Sequence, residues 1–300
     1  MGYLYLTLAL LCGVIKGYCG KKTSGKLIHT SDAMLVNTFR MLFCILIGLS
    51  ITLIQGNWDH LAIDAVLFAI AALSGVSTAI FAVSWILSVR QGAYMMVDVF
   101  LLIGITIPLI LCRIIFNEII RPIQWLGIVF LLVAGYIMCT YNTSVKGKIT
   151  PTAFLLLVLC AFSNGIADFS QKLFIKLCAD RSVAVFNLYS YLFAALTLAV
   201  CCAVFRKYEK NLYELQKAAT IVKPIIGYVF AMAVCLFLNS YFKTLSAQYL
   251  TAVQIYPLNQ GGSVILSMAM SSLLFREKIN TRCIVGVAVS FAALILINVF

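Results

Sequence analysis

The chain alternates long apolar stretches with short polar breaks. Apolar runs cover about 3–20, 33–55, 64–87, 92–113, 122–141, 151–174, 184–205, 224–242, 247–273 and 283–300. Each is close to the roughly 20 residues that an α-helix needs to cross a hydrocarbon core. In lipid the backbone must satisfy its own hydrogen bonds, so runs of this length predict helices. The breaks carry the expected stops: Gly20-Lys21-Lys22, Gly56 to His60, Arg90-Gln91, Glu118 to Pro122, and Asn142 to Gly147. The longest polar insertion, Arg206 to Lys223, mixes charged and apolar residues and reads as a short interfacial helix. The predicted architecture is all-α: a polytopic membrane protein of ten transmembrane helices.

Composition agrees. Of 300 residues, 63% are hydrophobic and 11% charged, against about 25% charged in a soluble domain. No stretch is long and polar enough for a separate soluble domain. The net charge of +12 raises the question of nucleic acid. The basic residues, however, are scattered at helix ends and in loops, which suits anionic headgroups, and they form no concentrated stripe. The predicted partner is therefore the lipid bilayer and not a nucleic acid. Eleven cysteines and two histidines include no CxxC pair; the cysteines read as small buried hydrophobes, with no metal site and no cofactor expected. The first run lacks a basic flank and a cleavage site and reads as a span, not a signal peptide.

The chain also repeats itself. Asn37, Leu42, Phe43 and Leu46 recur as Asn187, Leu192, Phe193 and Leu196. Ala93, Phe116, Glu118 and Gly127 recur as Ala252, Phe275, Glu277 and Gly286. Both sets fit two blocks of five spans, 1–141 and 150–300. An odd number of spans per block turns the second block over in the membrane, giving the inverted repeat of many secondary transporters, with a site expected where the halves meet.

With these residues in hand, the chain resembles the drug/metabolite transporter (DMT) superfamily, and within it the EamA-type transporters. The resemblance spans nearly the whole chain and rests on Tyr256-Pro257, Glu277-Lys278 and Gly286 in the second block. A weaker copy stands at Glu118, Gln124, Gly127 and Gly135 in the first. It implies a monomeric or homodimeric carrier of small metabolites or drugs, a central cavity, cytoplasmic termini and, in some relatives, use of a proton gradient. One departure stands out. The first block has Asp98 where the second has Pro257, and its nearest proline is Pro108.

Ionisable residues deep in a span are expensive and usually face a cavity or a partner. Asp98, inside the fourth run, is a candidate substrate-ammonium partner or proton-coupling carboxylate; a structural ion pair is the plain alternative. Asn37 and Arg40 share a face of the second run. Arg40 is placed to neutralise Asp98, to hold a substrate carboxylate through its planar fork, or to reach headgroups from a lower position. Lys16 ends the first run, at a cavity mouth or an interface. In the sixth run Asn164 offers an amide, and Asp168 stands four residues from Lys172, which predicts an internal pair. In the ninth, Gln254, Tyr256, Asn259 and Gln260 offer donors and acceptors, while Pro257 frees the carbonyl of Val253 and predicts a hinge. Asn239, Tyr241 and Trp85 are weaker wall candidates. Glu118 and Glu277, at helix ends, are expected to close a gate.

No nucleophile–base arrangement or phosphate-binding loop is present, so an enzyme is not expected. The predicted function is a secondary transporter, an exporter of small organic metabolites or drugs, in the plasma membrane. The rival is a non-transport membrane scaffold or sensor. Orientation divides the signals. Counted by loops, 14 basic residues fall on the side that faces out if the N-terminus is inside, and 6 on the other. The positive-inside rule thus favours an external N-terminus, against the family resemblance.

Overall fold

A computed structural model of the chain describes residues 1–27, 30–56, 58–90, 94–140, 151–208, 223–275 and 281–299. Among these there is no strand. Eleven helices occupy the ten apolar runs: α1 Gly2–Ser24, α2 Thr30–Ile54, α3 Ala65–Arg90, α4 Tyr94–Gly104, α5 Thr106–Phe116, α6 Pro122–Thr140, α7 Pro151–Leu177, α8 Val183–Tyr208, α9 Ile226–Ser246, α10 Ala252–Phe275 and α11 Thr281–Val299. Six of the described helices are long and apolar enough to cross a membrane. The protein is an all-α polytopic membrane protein. The insertion expected as an interfacial helix lies, from 209 to 222, outside the described residues.

The sidedness of α1 shows how the pattern folds. Leu4, Leu8, Leu11 and Ile15, spaced by one helical turn, are exposed. Such a row is costly in water and at home in acyl chains. The opposite face buries Leu6, Ala9, Gly17 and Gly20. At Gly20 a Cβ would stand 2.5 Å from the Trp85 ring, so only glycine lets α1 approach α3 there.

The fourth run is two helices, α4 and α5, parted at Ile105. Pro108 lacks an N–H, and its ring conflicts with the carbonyl four residues back, that of Gly104. Thr106 Oγ1 donates instead to the Ile103 carbonyl at 2.8 Å. The break lies against α7: a Cβ on Gly104 would meet the Ala161 carbonyl oxygen at 2.5 Å, and one on Gly165 would meet the Gly104 oxygen at 2.6 Å. In the ninth run, by contrast, Pro257 sits inside an unbroken α10. The interruption expected around Pro257 is therefore absent there and present in the fourth span. Pro257 is the sixth residue of α10 and disturbs little beyond its first turn.

Helix pairing follows a pattern. The closest couples are α1 with α9, α3 with α7, α2 with α8, and α6 with α11. Counted as spans, these are 1–8, 3–6, 2–7 and 5–10. Shifting every span by five turns the first pair into the second and each of the others into itself.

Candidate functional site

A cavity of about 60 Å³ lies among α1, α3, α4, α7, α9 and α10. Most of its helices contribute residues one turn apart. Phe81 and Trp85 come from α3, Asp98 and Leu101 from α4, Asn239 and Lys243 from α9, and Asn259, Ser263 and Ser267 from α10. The three- and four-residue spacing puts each set on one face. Lys16 and Gly17 of α1, Asn164 of α7 and Gln260 of α10 complete the polar lining. With about 10–15 Å³ needed per water on this measure, the space holds only a few waters.

Asp98 is buried and accepts a hydrogen bond from Ser267 Oγ at 2.7 Å. Asp168 forms a buried ion pair with Lys243, its Oδ1 receiving the Nζ–H. Asn164 Nδ2 reaches Asp168 Oδ2 at 3.5 Å, and Tyr256 Oη donates to the Asp168 carbonyl at 2.9 Å. Lys16 stacks over Phe81, 5.8 Å from the ring centroid. Two cavity amides keep buried atoms without partners among the described residues: Asn259 Oδ1 and Gln260 Nε2. Buried polar atoms without partners are uncommon and call for an explanation, here in two residues of one cavity wall.

Below this cavity along α7, Asn164, Asp168, Lys172 and Lys176 recur every four residues on one face, and the last two line a second, more open cavity of about 480 Å³ with Glu118 and Thr251. Asn117 ends α5 in the left-handed conformation, φ 52°, which is the usual asparagine stop and sets Glu118 at the helix end. Glu118 Oε2 accepts the Ala252 N–H at 2.9 Å, placing a carboxylate on the positive N-terminus of α10. Its Oε1 lies 3.4 Å from Lys172 Nζ. Lys172 also donates to the carbonyls of Ala247 at 3.1 Å and Leu250 at 2.7 Å, just past the C-terminus of α9. Lys172 is thus occupied with closing helix ends, and Asp168 pairs with Lys243 of another helix, where the spacing had pointed to Lys172. Lys172 and Lys243, two of the six basic residues counted on the sparser side, are both buried.

Of the predicted site residues, the cavity wall brings together Asp98, Asn164, Asn259 and Gln260, with Asp168 joined through Lys243. Lys16, Trp85 and Asn239, the weaker candidates by sequence, line it too; the remaining candidates lie elsewhere. Asn37 Nδ2 donates to the carbonyls of Ala33 and Ala82, tying α2 to α3. Arg40 is 3% exposed and outside the lining, with no ion pair to Asp98 among the described residues. Gln254 caps α10: its Oε1 accepts the Thr251 N–H at 3.1 Å. Tyr256 is buried behind Asp168. Glu277 lies outside the described residues. Sequence reading missed Lys243, Ser263 and Ser267. Ser263 and Ser267 continue the Asn259 face, a four-residue polar stripe that is visible in the sequence; nothing local distinguishes Lys243 from a loop lysine.

Comparison with known proteins adds the family. No curated protein matches the chain. Among solved structures, one described only as the crystal structure of a protein matches with a TM-score of 0.76 at 12% identity, over 99% of this chain and 96% of its own. At that identity the likeness concerns the fold alone. The model of the EamA-like transporter family matches residues 151–299. Through that half, the chain belongs to the EamA-like transporter family, part of the DMT superfamily.

Proposed function

We propose that the protein is a secondary carrier that exports small organic metabolites or drugs across the plasma membrane. The two blocks, 1–141 and 150–300, act as inverted repeats that rock about the central cavity. The observation that carries this reading is the composition of the cavity wall. It takes the first, third and fourth spans of one block and the sixth, eighth and ninth of the chain, which are the matching three of the other block. The span-pairing pattern and the family membership support the same reading. A small-molecule site usually needs about 300–1,000 Å³, so the present 60 Å³ corresponds to a closed state that must widen to load. The latch of Glu118, Lys172 and the α10 N-terminus closes one side. Asp98 exchanges a proton or binds a cationic group of the solute as the carrier cycles.

The test is flux into sealed proteoliposomes, using a mixed pool of amino acids, nucleosides, sugars and cationic dyes, with and without an imposed proton gradient. Selective flux that rises with the gradient is expected. Flux indifferent to the gradient would remove the proton role, and absence of flux from folded protein would sink the carrier reading.

A further inference from the structure

The central cavity carries a positive charge that its own carboxylates do not balance. Lys243 and Asp168 cancel as an ion pair. That leaves Lys16 on the wall and the buried Arg40 behind it, against Asp98 alone. Arg40, Lys243 and Asp168 all lie within electrostatic reach of Lys16, and Lys16 lies within that of Asp98, so three cations face two carboxylates. Arg40 Nε has no hydrogen-bond partner among the described residues. Lys16 makes no ion pair among them either; its contact is with the Phe81 ring. On the same cavity wall, Gln260 is 6% exposed and its Nε2 donor is unmet.

We infer that Lys16 is the residue by which the carrier recognises a carboxylate on its solute, with Gln260 as the second donor, and that the site selects carboxylate-bearing solutes against purely cationic ones. This rests on the carrier reading above and narrows it. A net positive charge in a small cavity inside the bundle favours whatever anion can enter. A purely cationic drug would instead add a further positive charge beside Lys16. A carboxylate removes the excess, and the rotatable ammonium of lysine can follow it through the transport cycle. Asp98, held by Ser267 through one oxygen, remains for an ammonium on the same solute. A zwitterion therefore satisfies both charged groups at once.

The experiment compares three sets of probes in proteoliposomes: α-amino acids, the same compounds as carboxamides, and the corresponding decarboxylated amines. Wild-type flux is expected to favour the acids over both other sets by at least about tenfold. Lys16→Gln is expected to reduce acid flux by about tenfold or more while sparing amide and amine flux, and Lys16→Arg to restore part of it. Equal flux of acids and amides in the wild type would overturn the inference without any variant. So would undiminished acid flux in Lys16→Gln, and in both cases the carrier reading would survive. No flux of any probe, from protein shown to be folded, would overturn the carrier reading and this inference with it.

Discussion

At the scale of single residues, what matters is whether each buried charge has a partner. Asp168 and Lys243 satisfy one another inside the bundle. Removing one partner strands the other, which in buried pairs costs about 3–5 kcal/mol. Lys243→Met is therefore expected to lower the melting temperature in detergent sharply, and adding Asp168→Asn to recover much of the loss. If the double variant is no more stable than the single one, the pair is not what holds this region. Asp98 differs, because its hydrogen-bond partner, Ser267, is neutral and the nearby cation, Lys16, forms no ion pair with it among the described residues. Asp98→Asn keeps the shape and can still accept that bond, so folding is expected to persist while gradient-driven flux disappears. Undiminished flux would reject the role proposed for Asp98.

At the scale of elements, proline and glycine positions decide where helices break and how closely they pack. The fourth span is interrupted because Pro108 conflicts with the Gly104 carbonyl, and the interruption rests on α7 because neither Gly104 nor Gly165 has a side chain. Gly104→Val is expected to push α4 from α7 and destabilise the fold by about 1–3 kcal/mol, the usual range for overpacking, read as a fall in melting temperature. A neutral result would mean that the two helices can separate freely. The latch is also a matter of helix ends. Glu118 serves the N-terminus of α10 while Lys172 serves the C-terminal carbonyls after α9. Glu118→Gln keeps an acceptor but removes the charge, and is expected to speed amide hydrogen exchange over 247–252. Unchanged exchange there would show that the latch does not hold this connection closed.

At the scale of the whole molecule, the matched span pairs and the six-helix cavity wall suit two halves that rock as units. Orientation is testable by the same charges. With Lys172 and Lys243 inside the bundle, the side with fewer basic residues falls from 6 to 4 against 14, and the charge rule favours an external N-terminus more strongly. A tag before Met1 is accordingly expected to be labelled by an impermeant reagent in intact cells. Labelling only after permeabilisation would side with the family resemblance instead.

Much of this was legible in the residues. Apolar runs determined where helices form, because a backbone in lipid must bond within its own segment, and that requirement is local. The offsets linking Asn37 to Asn187 and Glu118 to Glu277 suggested two blocks, whereas Gln254, read as a solute contact, proved to cap α10 through the Thr251 N–H. Asp98, Asn164, Asn259 and Gln260 stood out as polar groups in apolar runs. Only the tertiary structure decided which of them share a cavity. Ser267 reaches Asp98 across 169 residues of chain and Lys243 reaches Asp168 across 75. Helical spacing offered Lys172 as the partner of Asp168, but α9 packing brought Lys243 to it and left Lys172 to Glu118 and the helix ends. The choice of partner for a buried charge is made by which helix faces meet, and apolar surfaces that meet lipid or one another are written with the same residues.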